Sequence, residues 1–103
     1  MKIKNFLLEA GIYPNLQGFK YIIRAVEIVK DYNKNNTKKL AICKYLYVRL
    51  ANEFVTKPMS IERSIRYVVE NISNDQLGKY NIKQCPTVSE FIFFWAEVAD
   101  DKN

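Results

Sequence analysis

The chain has 103 residues, of which 49% are hydrophobic and 26% charged, so it can bury one small core and is too apolar for wholesale disorder. It contains no histidine, two cysteines and three glycines. These counts exclude a Ser-His or Cys-His nucleophile pair, the commonest metal ligand and a glycine-rich phosphate loop. There is no apolar run of membrane-spanning length and no signal peptide, so we expect a cytoplasmic protein with reduced, partly buried cysteines.

The formal net charge of +5 is concentrated in one part of the chain. Between positions 38 and 66, seven basic residues stand against two acidic ones. A concentrated positive field favours a polyanionic partner, and the alternative is an ordinary solvated basic face. The carboxylates are scattered over helical surfaces among basic residues. We therefore expect no enzymatic activity, no metal and no cofactor.

Helical periodicity begins at the N-terminus. A first helix is predicted over 2–10, ended by Gly11, and a second from Leu16 to about Tyr32, ended by the polar run 33–36. Apolar residues spaced three and four apart give each helix a buried face. They are Ile3, Phe6, Leu7 and Ala10 in the first helix, and Phe19, Ile22, Ile23, Val26 and Val29 in the second.

Two amphipathic helices separated by a sharp break occupy the centre of the chain. The first runs from about Thr37 to Phe54, and the second starts at Pro58, where a missing N–H does no harm. Thr56 is the better candidate cap for the second helix, ahead of Lys57, because its hydroxyl can accept a backbone hydrogen bond. The expected buried residues are Cys43, Leu46, Tyr47, Leu50, Ala51 and Phe54, followed by Ile61, Ile65, Val68 and Ile72.

The opposite face of the second helix carries Met59, Glu62, Arg63, Arg66 and Glu70. A short helix, a sharp turn and a second helix with charged residues near its start predict a helix-turn-helix over about 37–72. The alternative is an ordinary helical hairpin, which any bundle contains.

The C-terminal third predicts a short helical turn and one long helix. Breaker residues at 73–75 and 78 leave at most one helical turn at 75–80, followed by an irregular segment at 81–85. A capping box, Thr87-Val88-Ser89-Glu90, opens the last helix. Its expected core stripe comprises Val88, Phe91, Ile92, Trp95, Val98 and Ala99. Phe93, on the far side of that stripe, and Phe94, at its flank, are candidate interface residues. The alternatives for Phe93 are a lone exposed aromatic side chain and packing against 71–85.

In a helix-turn-helix, residues near the start of the second helix reach base edges in the major groove. Arg63 can donate two hydrogen bonds to a guanine, and Glu62 can accept one from a cytosine amino group. Met59 lies on the same face. The residues better placed for the DNA backbone or for flanking positions are Lys44, Lys57, Ser60, Arg66 and Tyr67.

Three stretches, in the same order, resemble one known family. They are GIYPNLQGFKYIIRA at 11–25, LYVRLANEFVTKPMSIERSIRYVV at 46–69 and PTVSEFI at 86–92. They are similar to the C-terminal DNA-binding effector domain of the sporulation stage zero protein A response regulators of spore-forming Firmicutes. The chain departs from that pattern at Ser60 and Tyr67, where the family usually has arginine and histidine. Val48 and Arg49 likewise replace a proline and an acid.

The resemblance implies a fold and a function. The fold is all-α: a compact bundle of five to six helices containing a helix-turn-helix, of the winged-helix-like, response-regulator effector type and with no sheet. The chain length predicts a single domain over 1–103. The segment between the recognition helix and Pro86 is shorter than in the family, so we expect the fifth helix to be abbreviated or lost. The implied function is binding to a short box of double-stranded DNA, with Glu62 and Arg63 at base-reading positions, Arg66 in contact nearby, and copies paired in tandem.

We therefore predict a sequence-specific DNA-binding transcriptional regulator that forms a homodimer on DNA and has no membrane partner. The alternative is a non-catalytic interaction module or antagonist that pairs with a full-length relative, and a transcription-machinery partner is a further candidate. These 103 residues do not include a stretch that resembles the family's receiver domain. They could be a fragment or a stand-alone protein without phosphoryl control, and from Met1 at the start and the natural-looking end we expect the second.

Overall fold

The periodicity of the sequence is realised as six α-helices in the part of the chain that the computed structural model describes, residues 2–35 and 45–98. They are α1 (Lys2–Glu9), α2 (Gln17–Asn35), α3 (Tyr47–Phe54), α4 (Pro58–Glu70), α5 (Asn74–Lys79) and α6 (Val88–Val98). No strand occurs within those two ranges. The prediction of an all-α bundle of five to six helices without a sheet is confirmed.

Helix α2 is the centre of the bundle. It packs mainly against α4 and α6, and α1 and α3 also contact it. Its predicted stripe is buried at Phe19, Ile22, Val26 and Val29 and half-buried at Ile23. Because neighbours cover it on several sides, further residues are buried beyond the stripe, namely Tyr21, Ala25 and Ile28.

Helix α2 is longer than the sequence predicts. The polar run after Tyr32 was expected to end it, but the helix continues through Asn35. Lys34 lies in the last turn, where a positive side chain interacts favourably with the helix dipole. A run of asparagine and lysine therefore extends an already nucleated helix, since adding a residue costs far less than starting a helix.

Helix α5 forms despite the predicted breakers. The hydroxyl oxygen of Ser73 accepts a hydrogen bond from the backbone N–H of Gln76 at 3.1 Å and so caps the helix. Gly78 lies inside the helix, not at its end. The prediction of one helical turn at 75–80 is correct to within a residue, and the segment from 81 to 85 contains no helix, as expected.

A buried glutamine joins α5 to α1. The Gln76 amide Nε2 donates to the carbonyl oxygen of Phe6 at 3.1 Å and to Oε1 of Glu9 at 3.2 Å. The Tyr80 hydroxyl donates to the same Glu9 oxygen at 3.1 Å. These two side-chain donors lower the pKa of the Glu9 carboxyl, the Gln76 bond contributing most. Burial of Gln76 is tolerated because its amide is hydrogen-bonded.

Helix α6 starts as the sequence predicts. The Thr87 hydroxyl oxygen accepts from the backbone N–H of Glu90 at 3.1 Å, and the Thr87 N–H donates to Oε1 of Glu90 at 2.9 Å. This backbone donor is the main reason why the pKa of Glu90 lies below its usual value. Phe91, Ile92 and Trp95 of the predicted stripe are buried. Ala99 lies outside the described residues.

Cys85 is exposed and unpaired, so the expectation of partial burial is wrong for this residue. Cys43 lies outside the described residues. Within the described ranges, no cluster of three or more cysteine or acidic side chains is arranged to hold a metal ion. None of the helices described here has the length and apolar character that crossing a bilayer requires.

Candidate nucleic-acid interface

The turn between α3 and α4 is built from three consecutive residues. Val55 adopts left-handed angles (φ 55°) and caps α3, with its N–H donating to the carbonyl oxygen of Ala51. The N–H of Thr56 donates to the same oxygen at 2.9 Å. Lys57 is extended (φ −103°, ψ 147°), and Pro58 begins α4. The chain therefore leaves α3 and enters α4 through a three-residue turn, a length typical of a helix-turn-helix.

The N-cap of α4 is Lys57, so the preference for Thr56 is wrong. The reason is Pro58. A proline restricts the residue before it to extended angles, and these are the angles that an N-cap residue adopts. Lys57 makes no capping hydrogen bond with its side chain. Its amine therefore stays at the exposed start of α4 without a structural role in the cap.

The buried face of α4 fixes its orientation. Ile61, Ile65, Val68 and Val69 are buried, and α4 packs against both α2 and α3. At Gly18 the contact with α2 is especially close. A Cβ added there would lie 2.5 Å from Cγ2 of Val68 and 2.7 Å from the backbone oxygen of Ser64. The sequence gives no signal for this approach, since Gly18 stands near the start of an ordinary helical pattern.

The opposite face of α4 is open to solvent. Met59 is 66% exposed and Tyr67 is 62% exposed, and Arg63, Arg66 and Glu70 are exposed too. Seven positions, or about two helical turns, separate Met59 from Arg66, so these two side chains lie along one line. This line is the crest of the α4 surface, and Glu62 and Arg63 lie on either side of it.

A groove flanks the crest on each side. The first has a volume of about 550 Å³ and brings Arg63, Arg66 and Tyr67 next to Gly18 in the first turn of α2. The second has a volume of about 420 Å³ and brings Glu62 and Arg66 next to the start of α6 at 86–89. The first turns of α2 and α6 therefore border the exposed surface of α4 on its two sides.

The two predicted base-reading residues differ in their surroundings. Oε1 of Glu62 accepts a hydrogen bond from Nη2 of Arg66 at 2.9 Å, and the Glu62 side chain is 29% exposed. Arg63 makes no hydrogen bond or ion pair with any residue in the described ranges. All five N–H donors of the Arg63 guanidinium are thus available to a ligand.

The remaining predicted DNA contacts lie along the same helix. Lys57, Ser60 and Tyr67 are exposed at its cap, first turn and third turn. Lys44 lies outside the described residues. Every predicted DNA-contacting residue that the structure describes therefore belongs to α4 or to its cap.

The basic residues between positions 38 and 66 that the structure describes lie on two surfaces, one on α3 and one on α4 with its cap. Arg49 lies on α3, where its Nε contacts Oε2 of Glu53 at 3.3 Å. Arg24 on α2 holds the same carboxylate with two bonds, Nε to Oε1 at 2.8 Å and Nη2 to Oε2 at 3.1 Å. The Arg24 bonds are the main cause that lowers the pKa of Glu53. The charge of Arg49 therefore supports the α2–α3 contact.

Phe93 and Phe94 are half-buried and pack against the hydrophobic core. The Phe94 ring meets the Trp95 ring edge-on, with the ring centroids 5.2 Å apart. Core packing is thus sufficient to explain why these positions are aromatic. An interface through either residue stays a prediction.

Comparison with known proteins identifies the family. No curated protein matches this chain. The family described as "Sporulation initiation factor Spo0A C terminal" matches residues 3–98, a range that includes α3, the turn and α4. Its members are DNA-binding regulatory domains and are not known as enzymes. The chain therefore belongs to the family of the C-terminal domain of the sporulation initiation factor Spo0A, the DNA-binding effector domain of a sporulation regulator.

Proposed function

We propose that this chain is a sequence-specific DNA-binding transcriptional regulator that inserts α4 into the major groove. One observation carries the proposal: Arg63 is exposed and has no partner among the described residues. It lies in the second turn of α4, and the opposite face of that helix is buried. A guanidinium in this position is ready to donate two hydrogen bonds to a guanine.

The dimensions of α4 suit the major groove. A helix with its side chains is about 10–12 Å across, and the groove of B-DNA is about 12 Å wide. The buried residues of α4 anchor the helix to α2 and α3, so its exposed crest can enter the groove without loss of core packing. The flanking first turns of α2 and α6 would then approach the two sugar-phosphate backbones.

The ion pair between Glu62 and Arg66 is compatible with DNA contacts by both residues. Only Oε1 of Glu62 contacts Arg66, which leaves Oε2 to accept from a cytosine amino group. Arg66 uses Nη2 for this bond, so its other N–H groups can donate to phosphate. Lys57, Ser60 and Tyr67 would add contacts to the backbone or to flanking positions.

The test is to compare binding to a selected duplex with binding to random DNA of the same length. Arg63→Ala should cost about 1–3 kcal/mol on the selected duplex and relax the preference at one base pair. Lys57→Ala should weaken binding to both duplexes alike. It should also reduce the slope of the logarithm of the binding constant against the logarithm of salt concentration by about one, the effect of one lost phosphate contact. Lys4→Ala, which removes an exposed charge from α1, is the control and should change little. Equal affinity for both duplexes, with no effect of Arg63→Ala, would refute the proposal.

We further propose that two copies pair on DNA, with Phe93 and Phe94 of α6 as the candidate contacts. Sedimentation on the selected duplex should give two copies per duplex for the original protein and one for Phe93→Ser. Circular dichroism must show that the variant is folded, because Phe93 packs against the core. Two copies per duplex in a folded Phe93→Ser variant would refute the assignment of this face of α6 as the contact between copies.

A further inference from the structure

Met59 is a large, exposed apolar side chain in the first turn of α4. It is the second residue of the helix and is 66% exposed. Charged neighbours surround it on the same face: Glu62 and Arg63 one turn away, and Arg66 two turns away. Single exposed apolar residues are common on protein surfaces, so exposure alone assigns no role. The role of Met59 is inferred from its position beside the unpartnered Arg63.

The spacing relates Met59 to Arg63 on the scale of base pairs. Four helical residues correspond to about 6 Å along the axis. Successive base pairs rise by about 3.4 Å. A base edge that Met59 touches should therefore lie within about two base pairs of the guanine that Arg63 contacts.

The chemistry of the side chain then restricts what it can read. The thioether of methionine is at most a weak hydrogen-bond acceptor, and the rest of the side chain is apolar. Of the groups that base pairs present in the major groove, the 5-methyl of thymine is the apolar one. The three rotatable bonds of methionine also allow it to adapt to a methyl group at slightly different positions.

We infer that Met59 is a specificity-determining residue that recognises the 5-methyl group of a thymine next to the guanine contacted by Arg63. This inference rests on the proposed major-groove binding by α4. It predicts an apolar contact at one defined position of the DNA site, in addition to the hydrogen-bonded readout.

The experiment replaces each thymine of the selected duplex by deoxyuridine, one at a time. This substitution removes a methyl group and leaves base pairing intact. In the original protein, one replacement within about two base pairs of the Arg63 guanine should weaken binding by about fourfold, the effect of one buried methyl group. Met59→Ala should bind the thymine and deoxyuridine duplexes equally at that position.

Val55→Ala is the matched control, because Val55 is a second exposed apolar residue close to the start of α4 but lies in the turn. It should keep the fourfold difference. The inference is overturned if no thymine replacement has an effect, if Met59→Ala keeps the same difference, or if the selected site has no thymine within that distance. In each of these cases a loss of specificity in Arg63→Ala would still support the proposed function. Equal binding to selected and random DNA would refute both the proposed function and the role of Met59.

Discussion

Replacement of Gly18 by alanine tests how closely α2 and α4 must approach to hold the recognition surface in place. The new Cβ would lie 2.5 Å from Cγ2 of Val68, whereas carbon atoms pack best at about 3.5–4.0 Å. It would also lie 2.7 Å from the backbone oxygen of Ser64, which cannot rotate away. One helix must therefore move by about 1 Å relative to the other.

The cost of this displacement can be estimated. Overpacking of a close contact costs about 1–3 kcal/mol. Alanine recovers up to about 0.5–1 kcal/mol of this because it is the better helix former. We expect Gly18→Ala to lower the free energy of unfolding by about 1–2 kcal/mol. It should also weaken DNA binding under conditions where the variant is folded, since α4 is displaced.

Urea unfolding followed by circular dichroism measures the first effect, and Gly78→Ala is its control. Gly78 is also helical, but a Cβ there would meet no atom within 4 Å. Gly78→Ala should therefore be neutral or raise the free energy of unfolding by up to about 1 kcal/mol. If both variants had the same stability, the close approach of α2 to α4 would not be a property of the protein.

Three further predictions concern local features. Val55→Gly should raise the free energy of unfolding by roughly 0.5–1 kcal/mol in urea titrations. Val55 is 90% exposed, so little packing is lost, and its left-handed angles cost a branched residue about 1–2 kcal/mol. A lower free energy of unfolding in the variant would contradict this backbone strain. Thr87→Ala should lower that free energy by about 1 kcal/mol while Thr87→Ser does not, and equal effects would exclude the cap. The pKa of Glu53 is lower in the folded chain than in the unfolded one, so the stability it contributes is present above the unfolded value of about 4.3 and is lost as pH falls through the folded pKa. Thermal melts between about pH 6 and 2 should accordingly show a shallower acid decline for Glu53→Gln than for the original protein, and parallel declines would refute the assignment.

Features that depend on local sequence were predictable. The stripe at Ile61, Ile65 and Val68 follows helical spacing, and all three residues are buried. The capping box at Thr87 and Glu90 forms with both reciprocal bonds. Each of these signals involves residues within one or two turns of each other. Their geometry is therefore fixed by the helix itself and needs no knowledge of the tertiary arrangement.

Features that depend on distant partners were not predictable. The Arg24 guanidinium meets a carboxylate 29 positions away, and the Gln76 amide meets the Phe6 carbonyl 70 positions away. Neither pair produces a periodic signal, because each contact exists only after the helices have packed. The same holds for Gly18, whose lack of a side chain matters only where α4 crosses α2. The ion pair between Glu62 and Arg66 is an intermediate case. Its i, i+4 spacing is visible in the sequence, but the spacing alone does not determine that the two side chains meet.

Selection of bound duplexes from a random pool, performed with the original protein and with Arg63→Ala, tests the central proposal most directly. The proposal predicts a short enriched sequence with a guanine that the variant no longer requires, while the rest of the sequence stays enriched. Failure to enrich any sequence, or an identical sequence from both proteins, would contradict the assignment of α4 as the recognition helix and of Arg63 as its base-reading residue.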